Sequence, residues 1–212
     1  MTAFSFDIVN IQPLNMLKHI CGILWIATYL LVLRRGYLDN SYGIPAVAIL
    51  MNIAWEIYDP FFANHSIMKG YGIVWLILDI FILRQMIAFH NKKRPRESFK
   101  LPTVYVLWIM TYFILLFIDA HYQIRLLTDA FFQNAIMSLL FIQMIISRKD
   151  ISGQSLYIAV GKMMATGIVI VMIMIHEEMK PLHLIILVAD IAYIILYIHY
   201  ARMRSVNIWT RI

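Results

Sequence analysis

Residues 71–89 read YGIVWLILDIFILRQMIAF, an apolar run broken near its middle by one carboxylate, Asp79. At 1.5 Å per residue a helix over this stretch reaches about 28 Å, close to the ~30 Å hydrocarbon thickness of a bilayer. Working outward, comparable runs occupy Met16–Leu33, Ile44–Tyr58, Val104–Ile118, Ala130–Ile146, Leu156–Ile175 and Leu182–Tyr200. With Tyr71–Phe89 they predict an all-α membrane protein, a seven-transmembrane helix bundle in which residues 1–212 form a single transmembrane domain. The second run is the shortest and most polar, so its polar face is expected to turn inward against its neighbours.

Composition agrees. Of the 212 residues 62% are hydrophobic and 14% charged, against about 25% charged in a soluble domain. The single cysteine, Cys21, excludes an internal disulfide framework and a Cys-based metal cluster. The net charge of +6 does not point to nucleic acid, because the basic residues sit in loops between apolar runs.

Those loops also predict an orientation. Arg34, Arg35, Lys92, Lys93, Arg94, Arg96, Lys100, Arg148, Lys149, Arg202, Arg204 and Arg211 fall after the first, third, fifth and last runs. The opposite side holds little beyond Lys18, Lys69, Arg125 and Lys180. The positive-inside rule then puts the N-terminus outside or lumenal and the C-terminus in the cytosol of a bacterial inner membrane or endoplasmic reticulum. Local punctuation fits the same division. Arg34–Gly43 reads as a loop, Asp59-Pro60 as the end of the second helix, Ser152-Gly153-Gln154-Ser155 as a turn and helix cap, and Lys180-Pro181 as the start of the last helix.

The informative residues are the acids inside the apolar runs. Glu56, Asp79 and Asp190 are placed in the outer half of the bundle, with Asp119, His121 and Asp129 at its outer rim and Glu177 and Glu178 in the last outer loop. A charged carboxylate in lipid is costly, so such groups should face inward and be paired, wet or neutral. Spacing puts Asn52 with Glu56 on one helical face, Trp75 with Asp79 on another, and Asp190, Tyr193 and Tyr197 in one stripe. Any one buried acid is as well explained as glue between helices, but three at similar depth point to a cavity with chemistry or transport. Trp55, Trp75 and Tyr193 flank these acids, and π-faces around an acid suit the shielding of a carbocation formed by protonation. Lys162 is read as snorkelling to the cytosolic end. His176, Glu177, Glu178 and His183 lack metalloprotease spacing, so no metal site is expected, and Asn64-His65-Ser66 is a bare glycosylation sequon. No Asp-rich magnesium run, Gly-rich phosphate loop or nucleophile elbow occurs.

Four segments carry a resemblance. Asn52-Ile53-Ala54-Trp55-Glu56 resembles the N-x-A-W-E of the small membrane-bound terpene cyclases of fungal meroterpenoid and indole-diterpene pathways, the pyripyropene and paxilline type. Val74-Trp75-Leu76-Ile77-Leu78-Asp79 resembles that family's W-x-x-L-D. Arg148 with Ser152-Gly153-Gln154-Ser155-Leu156 resembles its approach to the sixth span, and Leu187-Val188-Ala189-Asp190-Ile191-Ala192-Tyr193 its L-D-x-x-Y. The segments fall in the family's order along most of the chain. The resemblance implies metal- and cofactor-independent, acid-initiated cyclisation of a prenyl chain on an aromatic head group, with a hydrophobic substrate entering from the bilayer. Its two essential acids would be Glu56, as proton donor, and Asp190, assisting through a hydrogen bond or water. Asp79 matches a further family position. Trp55, Trp75 and Tyr193 would shield the cation, with Asn52 and Tyr197 beside them. The chain is shorter than typical fungal members, so an alkene could replace the epoxide that the family typically protonates.

Two other classes fit the same features. A small seven-span transporter could use buried acids as proton relays, although no repeat between the first and last three runs is visible. A sterol-isomerase-like protein would share an acid-and-aromatic cavity without making rings. A retinal pigment fits least, since the last run offers Asp190 and no lysine for a Schiff base.

Overall fold

The computed structural model describes residues 12–63, 69–93, 101–127, 129–175 and 179–212. The sequon at Asn64–Ser66, most of the basic third loop, and His176, Glu177 and Glu178 lie outside them. Among the described residues seven helices follow in the predicted order: α1 (Gln12–Asp39), α2 (Ala46–Phe62), α3 (Lys69–Lys93), α4 (Leu101–His121), α5 (Ala130–Arg148), α6 (Leu156–Met174) and α7 (Pro181–Met203). Six are long and apolar enough to cross a membrane. The seventh, α2, has 17 residues, about 25 Å at 1.5 Å each. The protein is a multi-pass integral membrane protein.

The short helix is also the most enclosed. Eleven residues of α2 are buried, among them Asn52, Glu56 and Asp59, while α3 and α4 present rows of exposed apolar side chains such as Ile77, Ile80, Val106 and Met110. The polar face of α2 does turn inward, as its composition demands.

Two boundaries depart from expectation. α1 continues through Arg34 to Asp39 because Arg35 and Asp39, four apart on one face, form an ion pair across the last turn. Asn40, in the left-handed region with φ 48°, then ends the helix. α2 runs through Pro60 to Phe62, so Asp59-Pro60 does not end it. Proline costs a helix the bond to the carbonyl four residues back, but here only two residues follow it. Its ring packs against Gly72 of α3, where no side chain stands in the way.

The other punctuation holds. Asp129 caps α5 by accepting from the Phe131 amide (2.8 Å), Ser155 caps α6 by accepting from the Ile158 amide (3.2 Å), and Pro181 opens α7.

Packing does not follow chain order. α1 lies against α3 and α6, α2 against α3, α4 and α5, and α7 against α5 and α6. These contacts close a circuit, α1–α3–α2–α5–α7–α6, with α4 outside it against α2. The polar faces of six helices therefore share one interior.

The end of the bundle that holds the α1–α2 and α5–α6 turns is tied by charge. Asp39 accepts from Arg35, from Arg211 of the C-terminal segment and from the Gly153 amide (2.7 Å). Arg148 donates to the Tyr42 carbonyl (3.0 Å) and lies over the Tyr42 ring, 4.1 Å from its centroid. Arg211 also donates to the carbonyls of Gln154 (3.0 Å) and Ile151 (2.9 Å).

Candidate active site

Two polar clusters sit inside the circuit. The first joins α1, α2 and α3. Asn52 and Glu56 project from one face of α2, as their spacing requires. The Asn52 amide donates to the Tyr29 hydroxyl (2.9 Å), and that hydroxyl donates to Glu56 Oε1 (3.3 Å). Asp79 of α3 faces Glu56 and Asn52. Neither Asp79 oxygen nor Glu56 Oε2 makes a hydrogen bond of ordinary distance and angle. Both carboxyls are buried, Glu56 at 3% exposure and Asp79 at 0%. Two carboxyls facing each other in a low-dielectric interior oppose a shared double negative charge.

The second cluster joins α5, α6 and α7. Lys162, expected to snorkel, is instead 2% exposed and points into the bundle. Its ammonium donates to Asp190 Oδ1 (2.6 Å), Ser138 Oγ (2.6 Å) and Asn134 Oδ1 (3.1 Å). An ammonium has three hydrogens, and these three acceptors satisfy it, which removes the reason to reach for the interface. Asn134 is itself oriented by its bond to Thr166 Oγ1 (2.9 Å). Asp190 Oδ2 is buried and has no partner.

Between the clusters lies a small cavity. Trp25, Thr28, Tyr29 and Val32 of α1 form one wall, Met137 and Phe141 of α5 and Ile158 and Lys162 of α6 the other, with Ile44 at the side. Its volume is about 10 Å³, room for about one water molecule. That is below the usual range for a ligand site, so a prenyl chain must part the walls to enter. Tyr29 ties this cavity to Glu56, and Lys162 ties it to Asp190.

The structure thus groups Glu56, Asp79 and Asn52, and gives Asp190 different neighbours. Trp55 is half-buried and packs toward α4 with Met51, Tyr58 and Tyr112. Trp75 packs on α1, its indole nitrogen 3.4 Å from the Gly22 carbonyl. Neither lines the cavity. Tyr193 is buried with its ring 5.1 Å from Phe141, and its hydroxyl donates to Gln154, whose amide donates to the Gly43 carbonyl. Tyr197 is fully buried one turn on, so the α7 stripe faces inward as its spacing predicts.

Sequence reasoning missed Tyr29, Phe141 and the true setting of Lys162. Trp25 and Tyr29, four apart on one helical face, were the available signal for the first. For Lys162 it was a cation in mid-run with only an acid as a sensible partner. Among the described residues no group of His, Cys, Asp and Glu is placed to hold a metal ion.

Comparison with known proteins adds a family. The model of the Pyr4-like transmembrane terpene cyclases matches residues 6–181. The chain is similar to the Pyr4-family terpene cyclase mfmH of Annulohypoxylon moriforme, 33% identical over 100 residues, which is 44% of this chain and 40% of that one. It is similar to the terpene cyclase cle7 of Aspergillus versicolor, 26% identical over 136 residues, 61% of this chain and 56% of the other. The terpene cyclase macJ of Penicillium terrestre is 34% identical over 70 residues, 31% of this chain and 27% of its own. The matches therefore span about a quarter to just over half of these relatives' length. No solved structure matches the chain.

Proposed function

The chain belongs to the Pyr4-like transmembrane terpene cyclases, and on that premise we propose that it cyclises a prenyl chain carried on an aromatic head group by protonating a terminal epoxide or alkene. The observation that carries this reading is the Glu56–Asp79 carboxyl pair, buried beside an aromatic cavity and joined to it through Tyr29.

In this reading Glu56 is the acid and Asp79 keeps it protonated by refusing a second negative charge nearby. Protonation of the epoxide oxygen breaks its C–O bond and leaves a carbocation. Successive alkenes attack it, each closing a carbon–carbon bond and moving the charge along the chain. Loss of one proton from the last cation gives an alkene, so the reaction is an isomerisation with no net change in atoms. Trp25, Tyr29 and Phe141 offer π-faces to the passing charge and keep water out. Asp190, paired with Lys162, offers Oδ2 to the passing charge and as the acceptor of the final proton. No metal is part of this scheme, because the proton comes from a side chain.

The test is turnover of a farnesylated aromatic carrying a terminal epoxide by the protein in lipid nanodiscs. Glu56→Gln keeps shape and loses the acidic proton. Cyclised product should fall by at least about 100-fold, the low end of what general-acid catalysis contributes. Full cyclisation by Glu56→Gln would overturn the assignment.

A further inference from the structure

We propose that Tyr29 is a catalytic residue, the group that hands the proton to the substrate, with Glu56 acting through it. This rests on the reading of Glu56 as the acid.

The argument starts from position. Glu56 does not line the cavity, while Tyr29 does. The hydroxyl of Tyr29 is bonded to Glu56 Oε1 on one side and receives the Asn52 amide on the other. Tyr29 thus touches the cavity with its ring and Glu56 with its hydroxyl, and no other residue bonded to Glu56 lines the cavity.

The hydrogen-bond inventory fits a relay. A phenol oxygen accepts two hydrogen bonds and donates one, and its hydrogen rotates to suit. With the cavity empty the hydrogen points to Glu56. When a substrate oxygen or alkene arrives, a protonated Glu56 donates to the same oxygen instead. Asn52 holds the other lone pair, and the Tyr29 hydrogen turns toward the substrate that has parted the cavity walls. Transfer then moves two protons in step. Tyr29 gives its hydrogen to the epoxide oxygen, whose C–O bond breaks, or to the alkene, whose π pair becomes the new C–H bond. At the same moment Tyr29 takes the hydrogen of Glu56. Tyr29 ends neutral and Glu56 ends as a carboxylate; when product leaves, Glu56 regains a proton from water and Asp190 gives up to water the one it accepted. Asn52 is a positioning residue, because its amide occupies one lone pair of the phenol and leaves the other to Glu56.

Packing holds the ring for this task. Tyr29 is 4% exposed, and its ring lies 5.8 Å from that of Trp25 on the preceding turn.

The experiment compares Tyr29→Phe with Glu56→Gln on the farnesylated aromatic epoxide in nanodiscs, and adds a series of fluorotyrosines at position 29. Tyr29→Phe should lower kcat by about 100-fold or more with KM changed by less than about threefold, the pattern of a lost proton-transfer role. Fluorine barely alters size but makes the phenol more acidic, so kcat should change progressively along the series, which a merely structural tyrosine would not produce. If Tyr29→Phe fails to fold, the fluorotyrosine series decides alone. A flat series, or a Tyr29→Phe protein with wild-type kcat, overturns the relay. If Glu56→Gln is then still inactive, only the relay falls and Glu56 protonates directly. An active Glu56→Gln would remove the acid reading itself.

Discussion

Lys162 Nζ lies 2.6 Å from Asp190 Oδ1, and both side chains are about 2% exposed. An ion pair so enclosed stabilises little by existing but costs much to break, because removing one partner strands the other's charge away from water. Lys162→Met and Asp190→Asn should each destabilise the protein by about 3–5 kcal/mol, and the double variant by much less. Thermal unfolding of the purified variants in detergent measures this. A double variant as unstable as the sum of the singles would mean that the two residues are not coupled.

Activity separates the same three proteins differently. In the proposed reaction the neutral double variant regains stability without regaining an anion. It should therefore fold and still form little of the normal product. Turnover close to wild type in the double variant would remove Asp190 from the chemistry and leave the pair a purely structural role.

Asp79 is expected to matter less than Glu56. Asp79→Asn removes the neighbouring carboxyl but leaves Glu56 buried and able to hold a proton. Its kcat should fall roughly 10-fold, against about 100-fold or more for Glu56→Gln. Equal losses in two well-folded variants would mean that the pair shares the donor role.

The fold was legible because lipid imposes a one-dimensional rule: long apolar runs must become helices, and loop polarity separates them. Residues 71–89 and their six counterparts each appear as a helix, and Ser155 and Pro181 start helices where a cap or proline predicted it. The misreadings were local. Asp39 prolongs α1 through Arg35 four residues back and is held there by partners 114 and 172 residues away, and Pro60 survives because it falls in a final turn. Of the candidate site, the inward facing of Asn52 with Glu56 and of Asp190 with Tyr193 and Tyr197 was legible from spacing alone. The site was less legible in its partners. Helix order in the circuit is not chain order, so nothing in the sequence says that Asp190 meets Lys162 while Glu56 meets Tyr29 and Asp79. Aromatic residues next to an acid in sequence, such as Trp55, lie on another helical face, which is why the cavity is lined from α1 and α5 instead.

Gly153 offers a test of the polar junction. Its φ of +78° is one that a side chain tolerates poorly, and a Cβ there would strike the Tyr42 carbonyl of the α1–α2 turn. Gly153→Ala should therefore cost about 1–3 kcal/mol in stability. Because neither Gly153 nor Tyr42 lines the cavity, kcat of the surviving folded protein should change little. An unfolding midpoint equal to wild type would show that the turn can move aside.

Phe141 tests what the cavity does to the cation. It is 3% exposed, lines the cavity opposite Tyr29 and Trp25, and braces Tyr193. Phe141→Leu keeps the wall apolar, so substrate should still bind, but it removes one π-face. A cation that is less well stabilised along its path is captured earlier, by loss of a proton or by stray water. The expected result is a shift from the fully cyclised product toward partly cyclised alkenes and alcohols, seen by mass spectrometry, with consumption of substrate reduced by less than about 10-fold, as befits a group that does not supply the proton. Trp25→Leu should shift products in the same direction. An unchanged product pattern in both variants would mean that the rings shape the cavity without stabilising charge.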